Sequence, residues 1–227
     1  MAYRSVVPAL VAVVFLARPA SGHLTQPAAG QPVLVRVSVA LVPPVPRSHR
    51  QLRAMIQEAE AIWHPYGVVL LWLTPWTTSS MPPADIRLRV EFARHARPKS
   101  SVGDPDIFSL GAIQFLDGVP DDLITLSADE ITTMVLSIPW DGRPPNNLPP
   151  ALVDDMNGRA FGRVLAHELG HYLLALGTHT QEGLMRPSYP TRELADWDRR
   201  GFRLDAVARL RFRARLAELL AAQPAGR

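Results

Sequence analysis

The 227-residue sequence contains no cysteine, and this absence narrows the chemistry that the protein can perform. Without thiols the chain can form no disulfide framework, no thiolate metal site and no lipid-modified cysteine anchor. Runs of basic residues interleaved with aromatic residues are also missing, although the net charge is +3 and the pI is about 9.8. We therefore expect a solvated basic surface and no nucleic-acid partner. Any metal site must be built from His, Asp or Glu.

The first residues have the layout of a secretory signal peptide. Arg4 precedes an apolar stretch over residues 6–17, and small residues follow up to Gly22. The stretch is shorter than the roughly 20 apolar residues that a transmembrane helix needs. We predict a signal peptide over residues 1–22 and an exported protein, secreted or periplasmic, with no stable membrane span after signal removal. An uncleaved anchor is the alternative.

The remaining residues, 23–227, are enough for one domain with a single hydrophobic core, since 47% of the chain is apolar and 20% is charged. We expect a monomer. The predicted domain has an upper lobe over about residues 33–177 and a lower lobe over about residues 178–222.

Hydrophobic periodicity predicts an α+β fold. Predicted strands cover residues 33–41, 68–73, 86–92, 110–115 and 123–126. Predicted helices cover residues 48–63, 153–176 and 204–221. Ser48 is the expected N-cap of the first helix, and Gly177 is expected to end the second. Asp117-Gly118 predicts a hairpin or a pair of neighbouring edge strands, and the proline-rich residues 141–150 predict a linker without regular structure.

Residues 167–171 are His-Glu-Leu-Gly-His, inside the second predicted helix. On a helix, residues four apart have Cβ atoms about 5 to 6 Å apart, so His167 and His171 can reach one zinc ion together. On a strand the two would be roughly 13 Å apart, which is too far. Glu168 is adjacent to the first ligand, where it can take a proton from a zinc-activated water. The pattern therefore predicts a hydrolytic zinc centre with Glu168 as general base.

A catalytic zinc usually has a third protein ligand. A turn at Gly177 would let the chain fold back, so that His179 could return an imidazole to the metal. The alternatives are Glu182, Glu193 and Asp196, because a thermolysin-like arrangement takes a downstream carboxylate.

Residues 167–189 resemble the metzincin clan of zinc peptidases. In that clan a glycine turn and a third histidine follow the two-histidine motif, and a methionine-containing turn runs under the metal. His179 and Met185 would fill these places, and Tyr189 resembles a tyrosine that several members carry after the methionine. The spacing departs from the clan, which would have glycine and histidine where this chain has Leu174 and Gly177.

The resemblance implies a zincin-like α+β fold. Its features would be a twisted mixed β-sheet with two long helices in an N-terminal lobe, an active-site helix along a cleft lined by an edge strand, and a small C-terminal helical lobe. It also implies that Tyr189 stabilises the oxyanion that forms during hydrolysis.

The expected function is that of a zinc-dependent endopeptidase acting on peptides or proteins through a metal-activated water. Two alternatives stay open: a non-catalytic exported zinc-binding or interaction module of the same fold, and a zinc hydrolase of a non-peptide amide. The presence of Glu168 argues against the first alternative, because a site that has lost its catalytic activity needs no general base. The motif does not separate peptide from non-peptide amides.

Overall fold

The computed structural model describes residues 34–44, 48–74, 83–94 and 110–221. The signal peptide predicted over residues 1–22 lies outside these ranges and stays a prediction. Within the described ranges, no helix combines the length and the apolar character that crossing a bilayer requires.

A five-stranded mixed β-sheet forms one layer of the fold. Its strands are β1 (Val35–Val42), β2 (Val68–Leu73), β3 (Ile86–Ala93), β4 (Gly111–Leu116) and β5 (Val119–Ser127). The order is β2-β1-β3-β5-β4, with parallel pairing throughout except that β4 is antiparallel to β5. The turn between β4 and β5 is Asp117-Gly118, and both residues have the positive φ that a tight two-residue hairpin requires. The predicted hairpin is therefore confirmed.

In the part of the chain that the structure describes, five α-helices accompany the sheet. They are α1 (His49–Trp63), α2 (Ala128–Leu136), α3 (Pro150–Leu174), α4 (Thr191–Ala195) and α5 (Ala206–Ala221). The Ser48 hydroxyl accepts hydrogen bonds from the amides of Arg50 and Gln51 at 3.1 and 3.2 Å, so the predicted N-cap of α1 is confirmed. The mixed sheet and the helices together confirm the predicted α+β fold.

Helix α3 is the central helix of the described residues. It contacts α1, β4, β5 and α5, and its side chains are buried almost without interruption from Met156 to Leu174. The indole Nε1 of Trp63, at the end of α1, donates a hydrogen bond to the carbonyl of Ala166 on α3 at 3.0 Å. The helix that carries the two-histidine motif is thus held on several sides by the core.

Several local predictions need correction. Helix α3 begins at Pro150 and ends at Leu174, two residues before the predicted end. The segment 141–150 is more ordered than predicted: Asp141 and Gly142 form a turn bridged by Trp140 and Arg143, and a 3₁₀ turn follows at Pro145–Asn147. Helix α2 was not predicted, because its isoleucine, threonines and valine favour extended structure when considered locally.

Candidate metal centre

Three histidine side chains meet at one point of the fold. His167 and His171 lie one turn apart on α3, and His179 lies in the loop that follows it. One ring nitrogen from each can be chosen so that all three lie within 4.8 Å of one another. His167 and His171 are 8% and 6% exposed, whereas His179 is exposed to solvent. The histidines that the sequence predicts as zinc ligands are therefore close enough together to hold one ion.

Backbone carbonyls orient the two helical imidazoles. Nδ1 of His167 lies 2.7 Å from the carbonyl oxygen of Leu184, and Nδ1 of His171 contacts the carbonyl of Leu176. A carbonyl can only accept, so each Nδ1 must donate, and each neutral ring then has its lone pair on Nε2. These two Nε2 atoms face each other at 3.1 Å.

Two nitrogen lone pairs that face each other at 3.1 Å repel each other. A cation bound between them would replace this repulsion with two attractive contacts. Imidazole nitrogens suit zinc, and a backbone carbonyl bound to the other ring nitrogen is the usual support for such a ligand. The donor set and its surroundings thus fit a zinc ion.

The turn after α3 is made by Ala175, and this corrects the prediction that Gly177 makes it. Ala175 has left-handed φ and ψ values of 45° and 51°, whereas Gly177 does not have a positive φ. The amide of Leu176 donates to the carbonyl of His171, and the amide of Ala175 to that of Tyr172, both at 3.1 Å. This bond pattern is a Schellman motif, which reverses the chain and brings the Leu176 carbonyl back to His171.

Helix α5 supports this turn from outside. Arg211 donates from Nε to the carbonyl of Leu174 at 3.0 Å and from Nη2 to that of Ala175 at 3.2 Å. A guanidinium at the C-terminal end of a helix also has a favourable interaction with the helix dipole.

A 3₁₀ turn containing Met185 packs beneath the histidines. It begins at Gly183, whose φ is +78° and whose missing Cβ would lie 2.3 Å from the carbonyl oxygen of Arg203, so only glycine fits. The Leu184 amide donates to that same carbonyl at 2.8 Å. The Met185 sulfur lies 2.2 Å from where a Cβ on Gly170 would be, which brings the turn against α3 between the two helical histidines.

Glu168 is buried between α3 and β4. The residue is only 5% exposed to solvent. A Cβ on Gly111, the first residue of β4, would lie 2.8 Å from Glu168 Cγ, from Glu168 Oε1 and from Val164 Cγ1. The backbone of β4 thus packs directly on the predicted general base. Sequence reasoning missed Gly111, for which the one signal was a glycine at the edge of a predicted strand.

The Tyr189 hydroxyl lies on the Nδ1 side of His167. It donates to the carbonyl of Leu184 and lies 3.4 Å from His167 Nδ1, whereas His167 Nε2 faces His171. Burial is the main reason why the pKa of Tyr189 is raised above its ordinary value. The hydroxyl therefore keeps its proton at neutral pH and can donate it in a hydrogen bond. The oxyanion role for Tyr189 stays a prediction. In the structure the hydroxyl contacts the Leu184 carbonyl, which also binds the imidazole of His167.

The carboxylates considered as third ligands lie elsewhere. Glu193 pairs with the guanidinium of Arg186, and a carboxylate oxygen of Asp196 accepts a hydrogen bond from the amide of Trp197. Within the part of the chain that the structure describes, no carboxylate belongs to a group of metal-holding geometry, and neither Glu182 nor these two joins the histidines.

No protein-family model and no curated protein matches the sequence. Among solved structures, the chain resembles archaemetzincin from Methanopyrus kandleri, with 12% identity, a TM-score of 0.46, and coverage of 81% of this chain and 96% of that one. It also resembles metalloproteinase-II from Bacteroides fragilis, with 10% identity and a TM-score of 0.44. That match covers 84% of this chain and 55% of the other, so this chain spans about half of that protein.

Proposed function

We propose that this chain is a zinc-dependent endopeptidase in which His167, His171 and His179 hold the metal and Glu168 is the general base. The observation that carries this function is the convergence of three imidazoles beside a buried glutamate. When bound, zinc would polarise the carbonyl of the substrate and lower the pKa of water.

The protein's own groups have distinct tasks in this scheme. The carbonyls of Leu184 and Leu176 hold the two helical imidazoles with Nε2 towards the ion site. Glu168 takes a proton from the attacking water and passes it to the leaving amine nitrogen. Its contact with Gly111 limits the positions that the carboxylate can adopt.

The choice of a peptide substrate is supported by β4, which lies at one end of the described sheet. The Ser127 amide donates to the Leu110 carbonyl at 2.8 Å, which makes these two residues a hydrogen-bonded antiparallel pair. Hydrogen-bonded and non-hydrogen-bonded pairs alternate along an antiparallel ladder. Ile113 lies three residues after Leu110 and is therefore in a non-hydrogen-bonded pair, so its backbone N–H and C=O point away from β5. An extended peptide could pair with that edge and lie beside Glu168.

The first test is Glu168→Gln, with cleavage of a mixed peptide pool and bound zinc measured on the same preparations. We expect cleavage to fall by about 10² to 10⁴ fold, the usual contribution of a general base, while zinc stays bound. Undiminished cleavage would remove this mechanism.

The second test compares His179→Ala with Glu193→Ala. At saturating zinc, only the His179 change should lower the number of zinc ions bound per chain. If it left the zinc stoichiometric, the third-ligand assignment would be wrong. A wild-type protein that binds zinc but cleaves no peptide, with or without a chelator, would favour a non-catalytic module or a non-peptide amide as substrate.

A further inference from the structure

Two arginines and two aromatic rings form a continuous stack behind the metal centre. The Arg163 guanidinium lies over the Phe202 ring at 4.4 Å, and the Arg186 guanidinium lies over the Tyr189 ring at 4.2 Å. The Phe202 and Tyr189 rings are stacked at 4.8 Å with an interplanar angle of 16°. We call these four residues the arginine-aromatic stack.

Both ends of the stack are anchored by ionic or polar partners. Arg163 is fully buried and donates to the Glu58 carboxylate at 2.8 Å and to the carbonyl of Glu193. Arg186, at the other end, pairs with the carboxylate of Glu193. One residue, Glu193, thus binds both guanidinium groups, and the two rings between them are held in register.

The stack fixes where the Tyr189 hydroxyl can lie. That hydroxyl donates to the Leu184 carbonyl, which also accepts from Nδ1 of His167. The Leu184 amide is bound in turn by the carbonyl of Arg203, so the peptide groups on both sides of Leu184 are fixed. To reach the Nε2 side of His167, the hydroxyl would have to give up the carbonyl, and the ring would have to leave the stack.

We propose that the arginine-aromatic stack is a positioning device for the metal ligand His167. It holds the Tyr189 hydroxyl on the Leu184 carbonyl, and this carbonyl orients the imidazole and keeps its hydrogen on Nδ1. Tyr189 is then a positioning residue and not a catalytic one. This role rests on the proposed function only in that His167 must bind the metal.

Two variants separate the hydroxyl from the stack. Tyr189→Phe removes the hydroxyl and keeps the ring, whereas Phe202→Leu removes the central ring and keeps the hydroxyl. Thr125→Val is the matched control, because it removes one hydroxyl hydrogen bond, at 2.8 Å to Glu91, within the sheet. The zinc dissociation constant is measured by competition with a chromophoric chelator, and kcat is measured at saturating zinc.

We expect both site variants to bind zinc about tenfold or more weakly, the usual cost of losing a support of a metal ligand. Their kcat at saturating zinc should fall by less than their zinc affinity. The visible absorption of the cobalt-substituted protein should change in both variants and stay unchanged in Thr125→Val.

The other outcomes overturn the positioning role. A Tyr189→Phe protein with unchanged zinc affinity and a large loss of kcat would assign the hydroxyl to the oxyanion. Unchanged zinc affinity in Phe202→Leu would show that the arginine-aromatic stack does not position His167. If Phe202→Leu fails to fold, as judged by circular dichroism, Tyr189→Phe alone decides. Failure of the wild-type protein to bind zinc would instead refute the proposed function.

Discussion

If Glu168 is the general base as proposed, its contact with Gly111 predicts that Gly111→Ala lowers peptide cleavage and leaves zinc binding unchanged. The added methyl carbon would lie 2.8 Å from three side-chain atoms, two of them on Glu168 and one on Val164. Carbon atoms in contact normally lie about 3.5 to 4.0 Å apart, so the neighbours must move by roughly 1 Å. Glu168 is 5% exposed on a helix packed by the core, and its Cγ cannot move that far without displacing the carboxylate.

A displacement of about 1 Å in a reacting group costs on the order of 10² fold in rate. We therefore expect kcat/KM of Gly111→Ala to fall about 10² fold, with bound zinc unchanged and a stability loss of about 1 to 3 kcal/mol from overpacking. Peptide cleavage, metal content and urea unfolding measure the three quantities.

Gly177→Ala is the matched control, in the loop between His171 and His179. Its Cβ would meet nothing nearer than the Phe115 ring at 3.8 Å, and its φ is not positive, so activity and stability should stay as in the wild type. Full activity in Gly111→Ala would refute the claim that β4 fixes the position of Glu168. An equal loss in both variants would show that the loss is not specific to that contact.

Two further predictions concern stability and are checked by urea unfolding. Ala175→Gly should stabilise the protein by about 0.5 to 1 kcal/mol, because glycine adopts the left-handed conformation without the strain that a Cβ causes. An unchanged free energy of unfolding would show that Ala175 is not strained in this turn. Glu58→Gln should destabilise the protein by about 3 to 5 kcal/mol, because the substitution leaves the buried Arg163 without its carboxylate partner at 2.8 Å. A change under about 1 kcal/mol would show that other groups compensate the charge of Arg163.

Features encoded over a few neighbouring residues were predictable from the sequence. Ser48 before a helical pattern gave the cap of α1, and Asp117-Gly118 between two extended segments gave the hairpin. The spacing of His167 and His171 gave two imidazoles on one face of a helix. Each of these depends on backbone periodicity or local capping, which a short window of sequence contains.

The end of α3 was not predictable in the same way. Local rules favour glycine in a left-handed turn, and Gly177 was the nearby glycine, yet Ala175 takes that conformation. Arg211 on α5 binds the carbonyls on either side of this turn, so a contact made 36 residues later favours the alanine turn. Helix α2 was missed for a related reason, since tertiary packing outweighed the extended preference of its β-branched residues.

By itself, then, the sequence determined the helix, the two histidines and the glutamate that the proposed chemistry needs. The tertiary structure decided which atoms surround them: Gly111 against Glu168, Leu184 on His167, and the Tyr189 hydroxyl on the side of that ring away from the other histidine. The reason is that spacing along a helix fixes the direction of a side chain, whereas its neighbours come from distant segments and are set by packing.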